Sequence, residues 1–278
     1  MSIINVAATL DYNVGTLTSF VFSIVPAETP HQRILQENLV LTPNVDFEWI
    51  QVGQERLRHI RLQVQPGPFR LDYQASVELT PDVDHASLLN EVSYQVLPAS
   101  VLGYLNPSRY CESDRLSLFA SKTFGSHQTG YSRVEAICDW VNSNIDYVSG
   151  STDTSSSACD VLVNRAGVCR DFAHTSIALC RALGIPARYI SGYAVDLQPP
   201  DFHGFFEAFL DGKWYLFDAT RMAPVSGFVR IGLGRDAADA SFATIVGLAS
   251  LQNMQVSAFE DMVFKKANKQ PDDAISTS

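Results

Sequence analysis

The 278-residue sequence predicts an α+β protein in two parts: an all-β, antiparallel sandwich-like module, then a larger unit in which helices pack on an antiparallel sheet. Three observations predict it. Apolar and polar residues alternate with period two in the first hundred residues. Apolar stripes at three- and four-residue steps begin only beyond residue 100. Strand-like runs then follow the last of those stripes with no helix between them. Helix followed by antiparallel strands is an α+β order, not the βαβ alternation of a parallel sheet.

The elements follow in order. Ile3 to Tyr12 and Thr16 to Val25 are strand candidates. Ile60, Leu62 and Val64 alternate with polar neighbours. Phe69, Leu71, Tyr73, Ala75, Val77 and Leu79 do the same, which marks a strand with one wet face. Gln65-Pro66-Gly67-Pro68 separates these two runs as a turn. Composition shifts near Leu97-Pro98, so the β module is assigned to residues 1–98 and the second unit to 99–264. There, Val134, Ile137, Cys138, Val141 and Ile145 make one helical stripe, with Ser132 and Glu135 matching a capping box at its start. Ser149 to Ser157 reads as a loop and Ala158 to Asn164 as a short helix. Phe172, Ala173, Ile177, Cys180 and Leu183 form a stripe on a helix that starts at Cys169 and stops at Gly184 and Pro186. Ala187 to Val195, Phe202 to Leu210 and Lys213 to Asp218 read as strands. Residues 265–278 form a polar tail expected to fray.

Composition narrows the function. With 46% hydrophobic and 18% charged residues the chain is not disordered. Twenty Lys and Arg against thirty Asp and Glu give a net charge of −10, which argues against nucleic acid and anionic membrane as partners. Five cysteines, an odd number without short paired spacing, exclude a full disulfide framework and point to a reducing compartment. The first Lys or Arg is Arg33, too late for the basic start of a signal peptide, and the run Val14 to Val25 is too short and polar to span a bilayer. The expectation is a cytoplasmic protein.

Chemistry concentrates in two places. In Gly167-Val168-Cys169-Arg170-Asp171, the glycine permits a sharp turn into a helix whose first residue is Cys169. A thiol there meets unpaired backbone N–H groups and the positive end of the helix dipole, which favour the thiolate. Taken alone, such a cysteine is more often a small packing residue. The second place is a hairpin. Asp211-Gly212 between two apolar runs is a two-residue turn signal. It pairs Leu210 with Lys213, which sets Asp218 opposite Phe205 and makes His203 and Asp218 diagonal neighbours on one face. A His held by an Asp through one ring nitrogen keeps the other free to face a thiol, which is the orienter–base–nucleophile arrangement.

The stretches Gly167-Val168-Cys169-Arg170-Asp171-Phe172-Ala173-His174, Arg181-Ala182-Leu183-Gly184-Ile185-Pro186-Ala187-Arg188 and Ser191-Gly192-Tyr193 resemble the bacterial transglutaminase-like superfamily. So do the His203 strand and Trp214-Tyr215-Leu216-Phe217-Asp218-Ala219-Thr220. The resemblance covers roughly residues 100 to 240, and the first hundred residues are similar to the β-rich region that precedes it in bacterial members. It implies a papain-like fold with Cys169 as nucleophile, His203 as base and Asp218 as orienter. One departure stands beside the histidine: the family has Ala-Trp, whereas this chain has Gly204-Phe205, which keeps an aromatic residue. The implied chemistry is acyl transfer from a peptide or protein amide. The backbone N–H of Cys169 is the first oxyanion donor, Trp140, Asn144 and Tyr147 are upstream candidates for the second, and Phe205 is a cleft residue.

The leading expectation is a thiol-dependent amide hydrolase, a cysteine protease or peptidase. The alternatives are a protein-glutamine transglutaminase or deamidase, and a catalytically silent binding module on the same fold. His174 lies about 140° round the helix from Cys169 and is expected to be a buried, hydrogen-bonded residue and not the base. Cys111, Cys138, Cys159 and Cys180 are expected to pack, and Glu207 to pair with an arginine such as Arg188. Thr220 and Arg221 are candidates for holding the Asp218 carboxylate. Arg235 and Asp236 are expected near a helix start. No cofactor or metal is implied: no Cys-x-x-Cys or paired-His spacing supports zinc, and no Asp-rich loop supports calcium.

Overall fold

A computed structural model of the chain describes residues 1–53, 55–261 and 272–278. The first part contributes seven strands: β1 (Ser2–Val14), β2 (Thr18–Phe22), β3 (Gln32–Thr42), β4 (Phe47–Val52), β5 (Leu57–Val64), β6 (Gly67–Leu79) and β7 (Asp82–His85). Helices and strands then mix: α1 (Ser113–Phe124), α2 (Tyr131–Asn144), β8 (Asp146–Tyr147), α3 (Ala158–Asn164), β9 (Ala166–Gly167) and α4 (Cys169–Ala182). Next come β10 (Ala187–Ala194), β11 (His203–Leu210), β12 (Lys213–Phe217) and β13 (Phe228–Gly234). The chain closes with β14 (Ala243–Val246), β15 (Ala249–Glu260) and β16 (Asp273–Ser276).

The period-two pattern does what it predicts. Ile4, Val6, Ala8, Leu10, Tyr12 and Val14 of β1 are all buried, and their neighbours Ile3, Asn5, Ala7, Thr9 and Asp11 are not. Two four-stranded sheets, ordered β15-β1-β6-β3 and β14-β2-β5-β4, share one core that includes Leu10, Phe20, Phe22, Leu62 and Tyr73. Each side chain alternates between that core and the outside, as in a sandwich.

The division at residues 98 and 264 is corrected by this topology. β14 pairs with β2 and β15 with β1, so residues 243–260, expected in the second unit, complete the β module. The tail is corrected too. Residues 265–271 of it lie outside the described residues, but Asp273–Ser276 pairs with β7 and buries Ala274 and Ile275. Two apolar side chains and a strand partner hold what polarity alone marked as loose.

In the second unit, α4 lies on the antiparallel sheet β12-β11-β10-β13. Phe172, Ala173, Ile177 and Cys180 pack with Phe206, Ala208 and Leu210 in one core. The opposite face of that sheet buries Ile190, Phe205, Leu216 and Phe228. Helix α2 carries the expected stripe, but Ser132 and Glu135 form no capping box. The helix begins at Tyr131 with Gly130 as its cap, at φ 93°. A side chain there would meet the Leu89 carbonyl at 2.0 Å, so a glycine, and not a polar cap, sets this start.

Candidate active site

Cys169 is the first residue of α4 and is partly exposed. Its position is built locally. The Asp171 carboxylate reaches back to accept the Val168 N–H at 2.9 Å and the Thr152 hydroxyl at 2.5 Å. That is the reach-back half of a capping box. A side chain on Gly167 would meet the Asp171 Cβ at 2.8 Å, so this glycine makes room for the turn.

The hairpin supplies the second half. β11 and β12 pair with Leu210 opposite Lys213 and Phe206 opposite Phe217, the register read from the sequence. Asp211 and Gly212 both take positive φ, 44° and 89°, as a two-residue hairpin turn requires. His203 then opens β11 while Asp218 sits just past the end of β12. Both are 2% exposed, and His203 Nε2 meets Asp218 Oδ2 at 3.0 Å.

Asp218 is held in turn. Thr220 donates its backbone N–H to Asp218 Oδ1 at 2.9 Å, and its hydroxyl lies 2.8 Å from both carboxylate oxygens. Of the two candidates for holding this carboxylate, Thr220 does so and Arg221 does not. Arg221 instead reaches Glu135 and Asp139 on α2. Asn142, also on α2, donates to the carbonyls of Ala219 and Thr220. Sequence reasoning missed Asn142, because a polar residue on a helix carries no signal of which loop it will hold.

With Nε2 committed to Asp218, Nδ1 of His203 is buried without a hydrogen-bond partner, and Cys169 joins Asp218 in favouring the charged form of the ring. Burial opposes the imidazolium, but the Asp218 hydrogen bond and then Cys169 outweigh it, raising the His203 pKa to about 10. Gly204 explains the departure from Ala-Trp. A Cβ there would lie 2.6 Å from the Tyr189 hydroxyl and 3.2 Å from the backbone of Arg170, so the glycine lets β11 lie against the start of α4.

The upstream candidates separate. Trp140 packs edge-on to Phe119 and Phe124 with the Arg165 guanidinium over its ring, so it belongs to the core. Asn144 donates to the Trp140 carbonyl on its own helix. Trp140 is turned to the α1 side of the core and Asn144 back along α2. Tyr147 is different: β8 pairs Tyr147 with Gly167, its ring lies 5.8 Å from that of Phe172, and its phenol is near enough to Cys169 to be shifted by it. Burial and then the charge at Cys169 push the Tyr147 phenol up to about 12, so it remains a donor at neutral pH. Phe205 is buried, 4.1 Å from Phe228 and 6.3 Å from the His203 ring, and forms the floor behind the histidine.

The remaining polar residues are structural. His174 is buried, accepts the Ala237 N–H at 3.0 Å and stacks on Tyr110; burial, then Arg170 and Arg181, hold it neutral. Cys111, Cys138 and Cys180 are fully buried, and Cys159 packs at the edge of the same core. Burial lifts all four thiols, Cys159 to about 11 and Cys111 to about 12. Glu207 pairs with Arg188 at 2.6 Å and with Arg230. Asp236 begins a turn and not a helix: it accepts the N–H groups of Ala238 and Tyr110, and Arg235 pairs with Asp239. Among the described residues no group of three or more His, Cys, Asp or Glu is placed to hold a metal ion, and no helix is long and apolar enough to cross a membrane.

Comparison with known proteins places this site in a family. Residues 118–219, which include Cys169, His203 and Asp218, match the model of the transglutaminase-like superfamily, and residues 2–100 match that of the bacterial transglutaminase N-terminal domain. A crystal structure from Cytophaga hutchinsonii, named a "Putative Cysteine Protease", is 42% identical with a TM-score of 0.92. That match covers 99% of this chain and 97% of the other. An uncharacterized protein of Mycobacterium leprae is 31% identical over 147 residues, 49% of this chain and 51% of its own. One of Mycobacterium tuberculosis is 34% identical over 96 residues, 34% of this chain and 30% of its own. The chain thus spans at most about half the length of these curated relatives. With both of its regions matched and a near-full-length relative of the same fold, the chain belongs to the transglutaminase-like superfamily.

Proposed function

We propose that the protein is a cysteine peptidase that hydrolyses amide bonds through an acyl-enzyme on Cys169. The observation that carries this reading is the buried His203–Asp218 hydrogen bond, which commits Nε2 and leaves Nδ1 without a partner, available to Cys169, the only one of the five cysteines that begins a helix. The name given to the Cytophaga hutchinsonii relative supports the same chemistry.

The thiolate of Cys169 attacks the amide carbonyl, forming a C–S bond, and the carbonyl electrons move onto oxygen. The Cys169 backbone N–H and the Tyr147 hydroxyl are the proposed donors to that oxyanion. The imidazolium of His203 gives its Nδ1 proton to the leaving nitrogen as the C–N bond breaks. Neutral His203 then takes a proton from water, whose oxygen attacks the thioester, and thiolate and acid product separate. Asp218 holds the ring through its hydrogen bond with Nε2.

The test is iodoacetamide labelling at mildly acidic pH with peptide mapping, followed by assay of peptide and glutamine substrates with a labelled amine present. Cys169 is expected to react faster than the four buried or packed thiols, and His203→Ala to slow it. Uniform slow reaction of all five thiols would sink the activated-thiol reading. Chain cleavage supports a peptidase. Ammonia release without cleavage assigns deamidation instead, and amine incorporation assigns transamidation.

A further inference from the structure

On the side of the β10–β13 sheet away from α4 lies a pocket of about 480 Å³, walled by the β4–β5 turn, the segment Ala99–Leu105 and the sheet itself. A volume of this size suits a small molecule or a few peptide atoms, in the range of about 300–1,000 Å³ typical of ligand sites. Its floor is Arg188, 3% exposed, whose guanidinium lies 4.1 Å over the Trp214 ring and 5.9 Å over Tyr104. Beneath it, Arg188 and the buried Arg230 share the single carboxylate of Glu207. Two buried cations on one anion leave positive charge at the floor, and burial makes that charge costly unless an anion answers it.

Glu55 answers it from outside. It is 53% exposed and stands 3.5 Å from Arg188 Nη1, at the outer limit of a hydrogen bond. His59 also lines the pocket, and its Nε2, buried behind that lining, has no hydrogen-bond partner. Arg235, paired with Asp239 and more than half exposed, adds a cation at the rim. Aromatic walls, a buried guanidinium with a loosely held counter-charge and an unsatisfied imidazole nitrogen together describe a recognition site, not a packing defect.

We propose that this pocket binds the free carboxyl-terminal end of a peptide: the α-carboxylate takes Arg188 Nη1 in place of Glu55, the side chain lies on Trp214 and Tyr104, and the last amide meets His59. Glu55 acts in the empty pocket as a resident stand-in for the ligand's carboxylate. The site is separate from Cys169 and does not depend on the reaction assigned to it.

Calorimetric titration of the intact protein with N-acetyl-phenylalanine, its carboxamide and 3-phenylpropanoate tests this. The acid is expected to bind saturably, at least about tenfold tighter than the carboxamide, because a charge-assisted pair is lost in the latter. It is also expected to bind tighter than 3-phenylpropanoate, which lacks the amide. Glu55→Gln removes the competing carboxylate and should tighten binding several-fold, while Arg235→Gln should weaken it; both positions are exposed, so the fold is retained. No saturable binding up to about 10 mM, equal binding of acid and carboxamide, or indifference to Glu55→Gln would overturn the proposal. Equal binding of 3-phenylpropanoate would overturn its peptide part.

Discussion

Asp218→Asn is the most discriminating perturbation of the site. In the native arrangement Asp218 Oδ2 accepts from His203 Nε2 at 3.0 Å, and both groups are 2% exposed. The interval between the ordinary histidine value of 6.5 and about 10 favours the imidazolium by roughly 5 kcal/mol. Asp218 contributes more of it than Cys169, against burial. Asparagine is close to isosteric and its carbonyl can keep the Thr220 N–H. Its amide, however, would donate to Nε2 and drive the ring proton to Nδ1, the nitrogen that must be free to take the thiol proton. Neutral His203 in that tautomer cannot form the ion pair with Cys169. The expected loss is about 10³–10⁴-fold in kcat on an amide substrate at neutral pH. The assay is the iodoacetamide rate of Cys169 against pH, with circular dichroism as a check of fold. The variant should lose at least about tenfold in rate at pH 6 relative to the native protein. A folded Asp218→Asn protein alkylated at pH 6 within about threefold of the native rate would refute the reasoning, since the ion pair would then not depend on this carboxylate.

Three further outcomes follow. Tyr147→Phe keeps the ring beside Phe172 but removes the hydroxyl; kcat should fall about 10²–10³-fold with KM and alkylation rate little changed, and an unchanged kcat would remove Tyr147 from the oxyanion site. Because His203 is raised from 6.5 to about 10, its acid form persists through neutral pH and is lost as pH rises through about 10. Amide turnover should therefore fall there while alkylation of Cys169 does not, and a limb near pH 6.5 would contradict the pairing with Asp218. Gly204→Ala puts a methyl group 2.6 Å from the Tyr189 hydroxyl and 3.2 Å from Arg170; chemical denaturation should show a loss of about 1–3 kcal/mol, and a neutral result would mean that β11 and α4 are not in close contact.

What was legible in the sequence depended on range. The Asp211-Gly212 turn fixes a register by itself, since a two-residue hairpin has one way to pair its arms, and so His203 and Asp218 could be brought together on paper. The helix starting at Cys169 and the burial of Cys138 and Cys180 followed from the same short-range periodicity. Pairings between distant residues were not legible. Nothing in Ala249–Glu260 announces β1 as its partner, so the module boundary was drawn in the wrong place. Trp140 already reads as a core residue of its helix, but nothing in the sequence separates Asn144 from Tyr147; the parallel pairing of Tyr147 with Gly167 brings it to the start of α4. Gly130 displaced the expected Ser132 cap because of a carbonyl more than forty residues earlier in the chain.

The pairing of β15 with β1 has a consequence for how the chain emerges from the ribosome. β1 is a central strand, flanked by β6 on one side and β15 on the other. β6 is complete at Leu79, but β15 begins only at Ala249. At translation speeds of about 5–20 residues per second, β1 waits on the order of ten to thirty seconds or more with one ladder of backbone donors and acceptors open. Throughout that interval the whole of the Cys169-bearing unit is being synthesised beside an unpaired thirteen-residue edge. Completion of the β module thus comes only after the Cys169-bearing unit has been made, and the nascent chain is most exposed to mispairing while that unit is still arriving.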